Sequence, residues 1–337
     1  MNTQNTEKDI YLDEKQIIAL LDNYKNHPDF KNLDKSAVKH LAIFKENDIN
    51  NKYYMNIPFN ATKWEEGAER EINYNGISIQ CKRSRFTTKT ELLYKTSLTT
   101  VNLDIIQNKL NSSAARAKDF YNSILADLIS ENGLCYDGKP FFYDQHPVNP
   151  INAELGTYTN LINDISLDDE GLTYALDTLR AIKNWDGQPM NLTSDEIIVI
   201  VSNKKQEAVA KKLDDKVKVV YLPWLEYKAP GTWYVMRNNE AEKPFLVSSN
   251  GVHPCYVFPT SEDSDYFRIN TGATAGFDWE AEVITAYLLP QVIVKCVEPS
   301  GTKLINCANC AKEINKTRPW SKYCSDACKV AFHRKNK

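Results

Sequence analysis

DIIQNKLNSSAARAKDFYNSILADLISENG, residues 104–133, carries the strongest periodic signal in the chain. Within it Ile106, Leu110, Ala114, Ala117, Tyr121, Ile124 and Leu128 recur at helical spacing, which draws one apolar stripe along a helix. Asp104 is placed to cap the start and Gly133 the end, so about 28 residues would extend ~42 Å, well beyond an ordinary globular helix. No proline interrupts the 81 residues between Pro58 and Pro140. The spacing therefore predicts a girder over 104–131.

Before it, ISIQCKRSRFTTKTELLY, residues 77–94, alternates side-chain character and is rich in β-branched and aromatic residues. The pattern predicts a two-stranded arm that turns near Thr87 and Thr88, with Lys82, Arg83, Arg85 and Lys89 along its middle. A hairpin with so little apolar surface is marginal alone, so it must lie on its own body or on another subunit. After the girder, Leu172, Ala175, Leu176, Leu179 and Ile182 mark an amphipathic helix introduced by Ser166 and stopped by the Asp186-Gly187 turn. A buried strand over 196–201, a helix over 204–213 and a strand over 217–222 follow, the alternation of a compact α/β region. Two amphipathic helical segments, 14–24 and 35–44, precede the arm.

The chain has 337 residues, 42% hydrophobic and 25% charged, which predicts a packed protein of two or three domains. No apolar run approaches the ~18 residues of a membrane span, and the first residues lack the apolar stretch of a secretory signal, so neither spanning nor export is expected. The net charge of −3 is uneven: residues 301–337 hold nine Lys and Arg against two Asp and Glu, while 1–300 hold 32 against 42. Cysteine divides the same way, with Cys81, Cys135, Cys255 and Cys296 scattered and Cys307, Cys310, Cys324 and Cys328 crowded together.

Cys-x2-Cys followed after thirteen residues by Cys-x3-Cys suits tetrahedral Zn2+, and four thiolates leave no open position, so the predicted site is structural. Iron–sulfur ligation is the weaker alternative. Ser325 is placed to cap a helix over 326–335 whose first turn would favour a thiolate at Cys328. His333 is a candidate substitute ligand. Residues 305–337 resemble small treble-clef zinc modules, a knuckle followed by a hairpin and a helix. Lys329, Arg334 and Lys335 are candidate contacts to phosphate or to an acidic neighbouring surface, with Lys312, Lys316, Arg318, Lys322 and Lys337 nearby. Trp320 and Tyr323 are too few for a base-stacking platform and are expected to pack the small core. Elsewhere there is no Gly-rich phosphate loop, no HExxH, no GxSxG and no catalytic pair of carboxylates, and His146 beside Pro147 reads as a turn or core residue, so no catalytic residue is assigned and no enzyme is expected.

The order of these elements resembles the major capsid protein fold of tailed phages, and within it the Mu-like phage major head subunit family. The residues that carry the resemblance are the girder leading into DGKPFFYDQHPVNP (137–150), the helix, Asp-Gly turn, strand and helix of 165–213, GTWYVM (231–236) and TAGFDWEAEVITAYLLPQVIVKC (274–296). The helical first fifty residues and the zinc module depart from the family pattern.

The resemblance implies an α+β fold with an N-terminal arm at 1–55 and a peripheral domain of 56–71, 96–150 and 280–300 built on the spine helix 104–131. It further implies an extended loop at 72–95 and an axial α/β domain at 151–279, to which this chain adds a zinc module at 302–337. It implies a structural protein whose copies form the hexamers and pentamers of an icosahedral shell around double-stranded DNA, with portal and scaffold as partners and no membrane. Such a protein assembles in the host cytoplasm and resides in the virion capsid. Lys82, Arg83, Arg85 and Lys89 then become candidate intersubunit contacts. The alternatives are a cytoplasmic zinc-dependent nucleic-acid-binding protein, an encapsulin-like compartment shell and, last, an enzyme with a structural zinc site.

Overall fold

The structure, a computed structural model, describes residues 14–48, 50, 52–56, 76–93, 100–190, 196–213, 217–257, 273–299, 303–311, 313–316, 323 and 325–335. The girder is present as two consecutive helices, Thr100–Lys118 and Phe120–Glu131. Every residue of the apolar stripe, from Ile106 to Leu128, is buried. The helix departs from expectation at three points. It begins at Thr100 rather than Asp104, Asp119 interrupts it, and Asn132 in the left-handed conformation ends it. Asp119 is held by a partner remote in sequence: its carboxylate accepts from the Trp224 indole and from Asn122 Nδ2 at 2.6 Å.

Gly133, the expected stop, has a different task. A Cβ there would stand 2.5 Å from the ring of Tyr287. The tyrosine hydroxyl donates to Leu128 O at 2.7 Å, tying the end of the spine to a long strand.

That strand belongs to a sheet ordered Ala42–Glu46, Phe245–Val257, Ala273–Tyr287, Lys82–Leu93. The first pair is parallel and the other two are antiparallel. Period-two alternation gives the sheet two apolar faces. Phe245, Val247, Trp279, Ala281 and Val283 join the spine stripe in one buried cluster. Leu246, Ile284 and Ala286 point the other way and pack with Met55 and Ile79 of the antiparallel pair Lys52–Asn56 and Gly76–Gln80, and with Cys81 just after it.

These pairings correct the sequence reading of the arm. Lys82–Leu93 does not turn at Thr87 and Thr88: it continues as one strand, pairing from Lys82↔Thr285 to Leu93↔Ala273 with a register shift between Ala275 and Ala273. Alternation identified a strand but could not name a partner almost two hundred residues away. The expected helix over 35–44 is likewise a short helix, Ser36–Leu41, followed by the strand Ala42–Glu46, which the edge of Phe245–Val257 captures. The strand Ala273–Tyr287 is continuous, so the domain boundary expected after Trp279 falls inside one element. Residues 57–71, within the expected peripheral domain, and 72–75 and 94–95 of the expected loop lie outside the described residues.

A second sheet is ordered Leu161–Ile162, Ile293–Val297, Thr232–Arg237, Ile197–Val201, Lys218–Tyr221. Its central strand Thr232–Arg237 is buried along its whole length, which explains a continuous apolar run rather than an alternating one. One face, with Ile198, Ile200, Tyr234 and Met236, joins the spine cluster. The other, with Val199, Val201, Trp233 and Val235, packs on Leu172, Ala175 and Leu179 of the helix Asp169–Ala181 and on Ala210 of Lys204–Leu213. The cap of Asp169–Ala181 is Asp168, whose carboxylate accepts from Gly171 N at 2.8 Å, and not Ser166. The spine thus stands in the core shared by the two sheets. Among the described residues no helix is long and apolar enough to cross a membrane.

Candidate metal centre and assembly surface

At the C-terminus a hairpin, Lys303–Asn306 with Glu313–Lys316, presents a tight turn at its mouth. Ala311 N donates to Cys307 O at 2.9 Å. Ala311 adopts φ 56°, a left-handed position disfavoured for a residue with a Cβ. This turn brings Cys307 and Cys310 round towards Cys328 in the helix Asp326–Lys335. The three sulfurs lie within 4.8 Å of one another. Tetrahedral zinc with Zn–S bonds of ~2.3 Å sets its sulfurs about 3.8 Å apart, so this cluster has the dimensions of a metal site.

Two hydrogen bonds hold Cys328 in place. Asn309 Nδ2 donates to Cys328 Sγ at 3.6 Å, and Cys328 N donates to Ser325 Oγ at 3.3 Å, the expected cap. Tyr323 packs on Phe332 with ring centroids 5.4 Å apart, forming the small core anticipated for it. Cys324, Trp320 and the basic positions Lys312, Arg318, Lys322 and Lys337 lie outside the described residues, as do the side chains of His333, Lys335 and Lys316. Lys329 and Arg334 are exposed on the helix.

The scattered cysteines differ in kind. Cys81, Cys135 and Cys296 are buried, and burial pushes all three thiols above their ordinary value, which keeps them neutral. They fill the core, whereas the terminal group gathers around a turn and a helix start.

The arm's cations find carboxylates within the same chain. Arg83 Nε donates to Glu282 Oε1, and Arg85 Nε reaches the same oxygen at 3.3 Å. Lys82 Nζ meets Glu131 Oε2 at 2.9 Å. The hydrogen bond from Arg83, reinforced by Arg85, holds the Glu282 carboxyl below its ordinary value. These residues line an edge strand and remain exposed, Arg85 at 83%, so the pairing is an intrachain rim on the sheet. The side chain of Lys89 lies outside the described residues. Sequence reading missed Glu282, Glu131 and Asn309 as partners. Only Asn309 had a local signal, its place between the first two cysteines.

His146 is fully buried. Its Nε2 donates to Phe141 O at 3.1 Å, Nδ1 lies 2.6 Å from Asp137 Oδ2, and the ring stacks on Tyr158 at 5.2 Å. Every polar atom of the ring is engaged inside the protein, so the histidine ties the loop after the spine to the strand pair His146–Pro147 and Thr157–Tyr158.

Residues 68–184 match the family described as Mu-like prophage major head subunit gpT. The matched span contains the edge strand, the spine, the His146 loop and the helix Asp169–Ala181. No curated protein matches the chain. Among solved structures, the chain is similar to the procapsid of bacteriophage JBD30, at 13% identity and TM-score 0.42, covering 86% of this chain and 77% of that one. It is also similar to the capsid of cyanophage P-SCSP1u, at 9% identity and TM-score 0.48, covering 78% and 88%. A virus-like particle from Pyrococcus furiosus is similar at 12% identity and TM-score 0.42, covering 83% and 99%. Through the segment 68–184, about a third of the chain, which holds the spine and the His-Pro loop, the chain resembles the Mu-like prophage major head subunit family.

Proposed function

We propose that copies of this chain tile as hexamers and pentamers into a closed shell around double-stranded DNA, built in the host cytoplasm with portal and scaffold and retained in the virion. The spine carries this reading, because the family match spans it and it is the element on which both sheets pack. In this proposal the long-strand sheet with the spine is the peripheral region, and the five-stranded sheet with its two helices is the axial one. Identical surfaces repeated by symmetry then supply the area that one copy cannot bury by itself. Lys82, Arg83, Arg85 and Lys89 would lie on the exposed edge of the peripheral sheet, where a neighbouring subunit can meet them.

The C-terminal module is proposed to hold one structural Zn2+ through Cys307, Cys310, Cys324 and Cys328. The proximity of three of those sulfurs and the donor from Asn309 support it. Bound zinc would crosslink the hairpin to the helix and stabilise a unit too small for a full core. Sedimentation velocity over a range of protein concentrations tests the assembly reading. Large, discrete particles support it, and a monomer at every concentration and salt would remove it. Zinc quantification before and after thiol modification tests the metal: about one ion per chain, lost on modification, is expected from a closed four-cysteine site.

A further inference from the structure

The connection between the two sheets holds a buried cation without a counter-ion. Thr232–Arg237 belongs to the five-stranded sheet and Phe245–Val257 to the four-stranded one, and residues 238–244 join them. Lys243, within that connection, is only 4% exposed. Its Nζ donates to two uncharged oxygens, His40 O at 2.9 Å and Asn238 Oδ1 at 2.6 Å, and no carboxylate among the described residues lies at ion-pair distance from it. Burying an ammonium in this way is costly. The amide it touches is held from the other side. The antiparallel register Arg237↔Ile197 sets Asn238 beside Glu196, whose backbone oxygen accepts from Asn238 N at 2.8 Å. Asn238 Nδ2 then donates to Glu196 Oε2 at 2.8 Å. Asn239 Oδ1 accepts from Ala241 N at 2.9 Å and turns the chain back, and an ion pair from Arg237 to Glu242 closes the same loop. Amine, carboxamide and carboxylate thus touch in succession. Burial lowers the Lys243 ammonium from its ordinary value, which enlarges the share of neutral amine, and the charge of Glu196 reaches the same group.

We propose that Lys243 and Asn238 are the two ends of a self-formed isopeptide bond, with Glu196 as the proton carrier. The neutral amine, its ammonium proton lost to water, attacks Asn238 Cγ. The Nζ–Cγ bond forms and the Cγ–Nδ2 bond breaks. One proton leaves Nζ and arrives on Nδ2, relayed by the Glu196 carboxylate that already accepts from that nitrogen, and Nδ2 departs as ammonia. Nothing is oxidised or reduced, and no co-reactant enters. Holding nucleophile and carbonyl in contact makes a slow bimolecular exchange intramolecular, and a carboxylate at the leaving nitrogen supplies acid–base help. The product replaces a buried charge with a neutral amide, and the escape of ammonia makes the step one-way. The covalent ring over 238–243 would lock the joint between the sheets. This inference stands on the geometry of the three side chains and does not depend on the capsid reading.

The test is intact-mass spectrometry of the folded full-length chain, followed by digestion of the denatured protein with a glutamate-specific protease. A linked chain is lighter than its sequence by one ammonia. Cleavage after Glu240 and Glu242 parts Asn238 from Lys243 in an unlinked chain, whereas a linked chain keeps the two pieces joined as one branched product. Lys243→Met and Glu196→Gln should keep the full mass and give separate pieces, with circular dichroism showing both folded; the wild-type digest decides the question by itself where a variant does not fold. Full mass in aged, folded wild-type protein overturns the inference. So does an ammonia loss that persists in Lys243→Met, which would mark a succinimide at Asn238, and so does a branched product that Glu196→Gln forms at the wild-type rate.

Discussion

Gly133→Ala probes the joint between spine and sheet. The new methyl would stand 2.5 Å from Tyr287 Cε2, well inside van der Waals contact. The ring has little freedom to retreat. Its hydroxyl donates to Leu128 O at 2.7 Å, and the ring packs against Phe141 at 5.2 Å and Phe245 at 6.1 Å. Burial pushes the Tyr287 phenol up to about 12, so it stays a donor throughout the neutral range. Overpacking of this kind costs about 1–3 kcal/mol. Alanine also restricts the unfolded chain, which returns about 0.4–1 kcal/mol, because the glycine is not held at positive φ. The net expectation is about 1–2 kcal/mol of destabilisation, a fivefold to thirtyfold fall in the folded-to-unfolded ratio. Urea unfolding of unassembled subunits would be measured for wild type, Gly133→Ala, Tyr287→Leu and the double variant. With the ring removed, the alanine should cost nearly nothing, leaving a coupling of about 1–2 kcal/mol in the cycle. Equal cost of Gly133→Ala in both backgrounds, or no cost in the wild type, refutes the steric argument.

Leu110→Ala on the buried spine stripe should cost about 2–5 kcal/mol, against less than about 0.5 kcal/mol for Ile18→Ala on the exposed side of the first helix, both read from urea midpoints. The Glu282 carboxyl sits below its ordinary 4.5 in the folded chain, so its stabilising contribution is complete above that value and is lost as pH falls through the lower folded-state value. Thermal melts of Glu282→Gln should therefore fall below wild type at neutral pH and converge with it in acid; parallel curves at every pH would refute the assignment. Chelation should melt the hairpin and helix of 303–335 while the body unfolds at its usual urea concentration, and Cys310→Ser should bring zinc content down without altering the body's unfolding. A single cooperative loss of both would contradict an independently stapled module.

What the sequence disclosed was local. The stripe from Ile106 to Leu128 recurs at helical spacing, and all of it is buried as the period requires. Lys204–Leu213 emerged with the expected bounds because its pattern and its flanking turns lie within a few residues. What depended on distant partners was hidden. Asp119 interrupts the spine under the hold of Trp224, 105 residues away. Ala42–Glu46 reads as part of a helix until Phe245–Val257 offers it a parallel edge. Lys82–Leu93 has the alternation of any half-covered strand, and nothing within it distinguishes a hairpin partner from Ala273–Tyr287.

The C-terminal cysteine cluster follows the same rule. Cysteine spacing announced the cluster of Cys307, Cys310 and Cys328, since ligand pairs must sit close along the chain to share one ion. The left-handed turn at Ala311 went unread because the residue is not a glycine. On the arm, cation content was visible but its destination was not: the cross-strand register, which the sequence does not display, sets Glu282 opposite Arg85 and diagonal to Arg83, and both donate to it.

Electron microscopy of the purified full-length protein, concentrated at moderate ionic strength, tests the central claim most directly. Closed hollow shells of uniform diameter, with the spine packed between the two sheets in each subunit, are predicted. Isolated single subunits under every condition that keeps the chain folded would contradict the account.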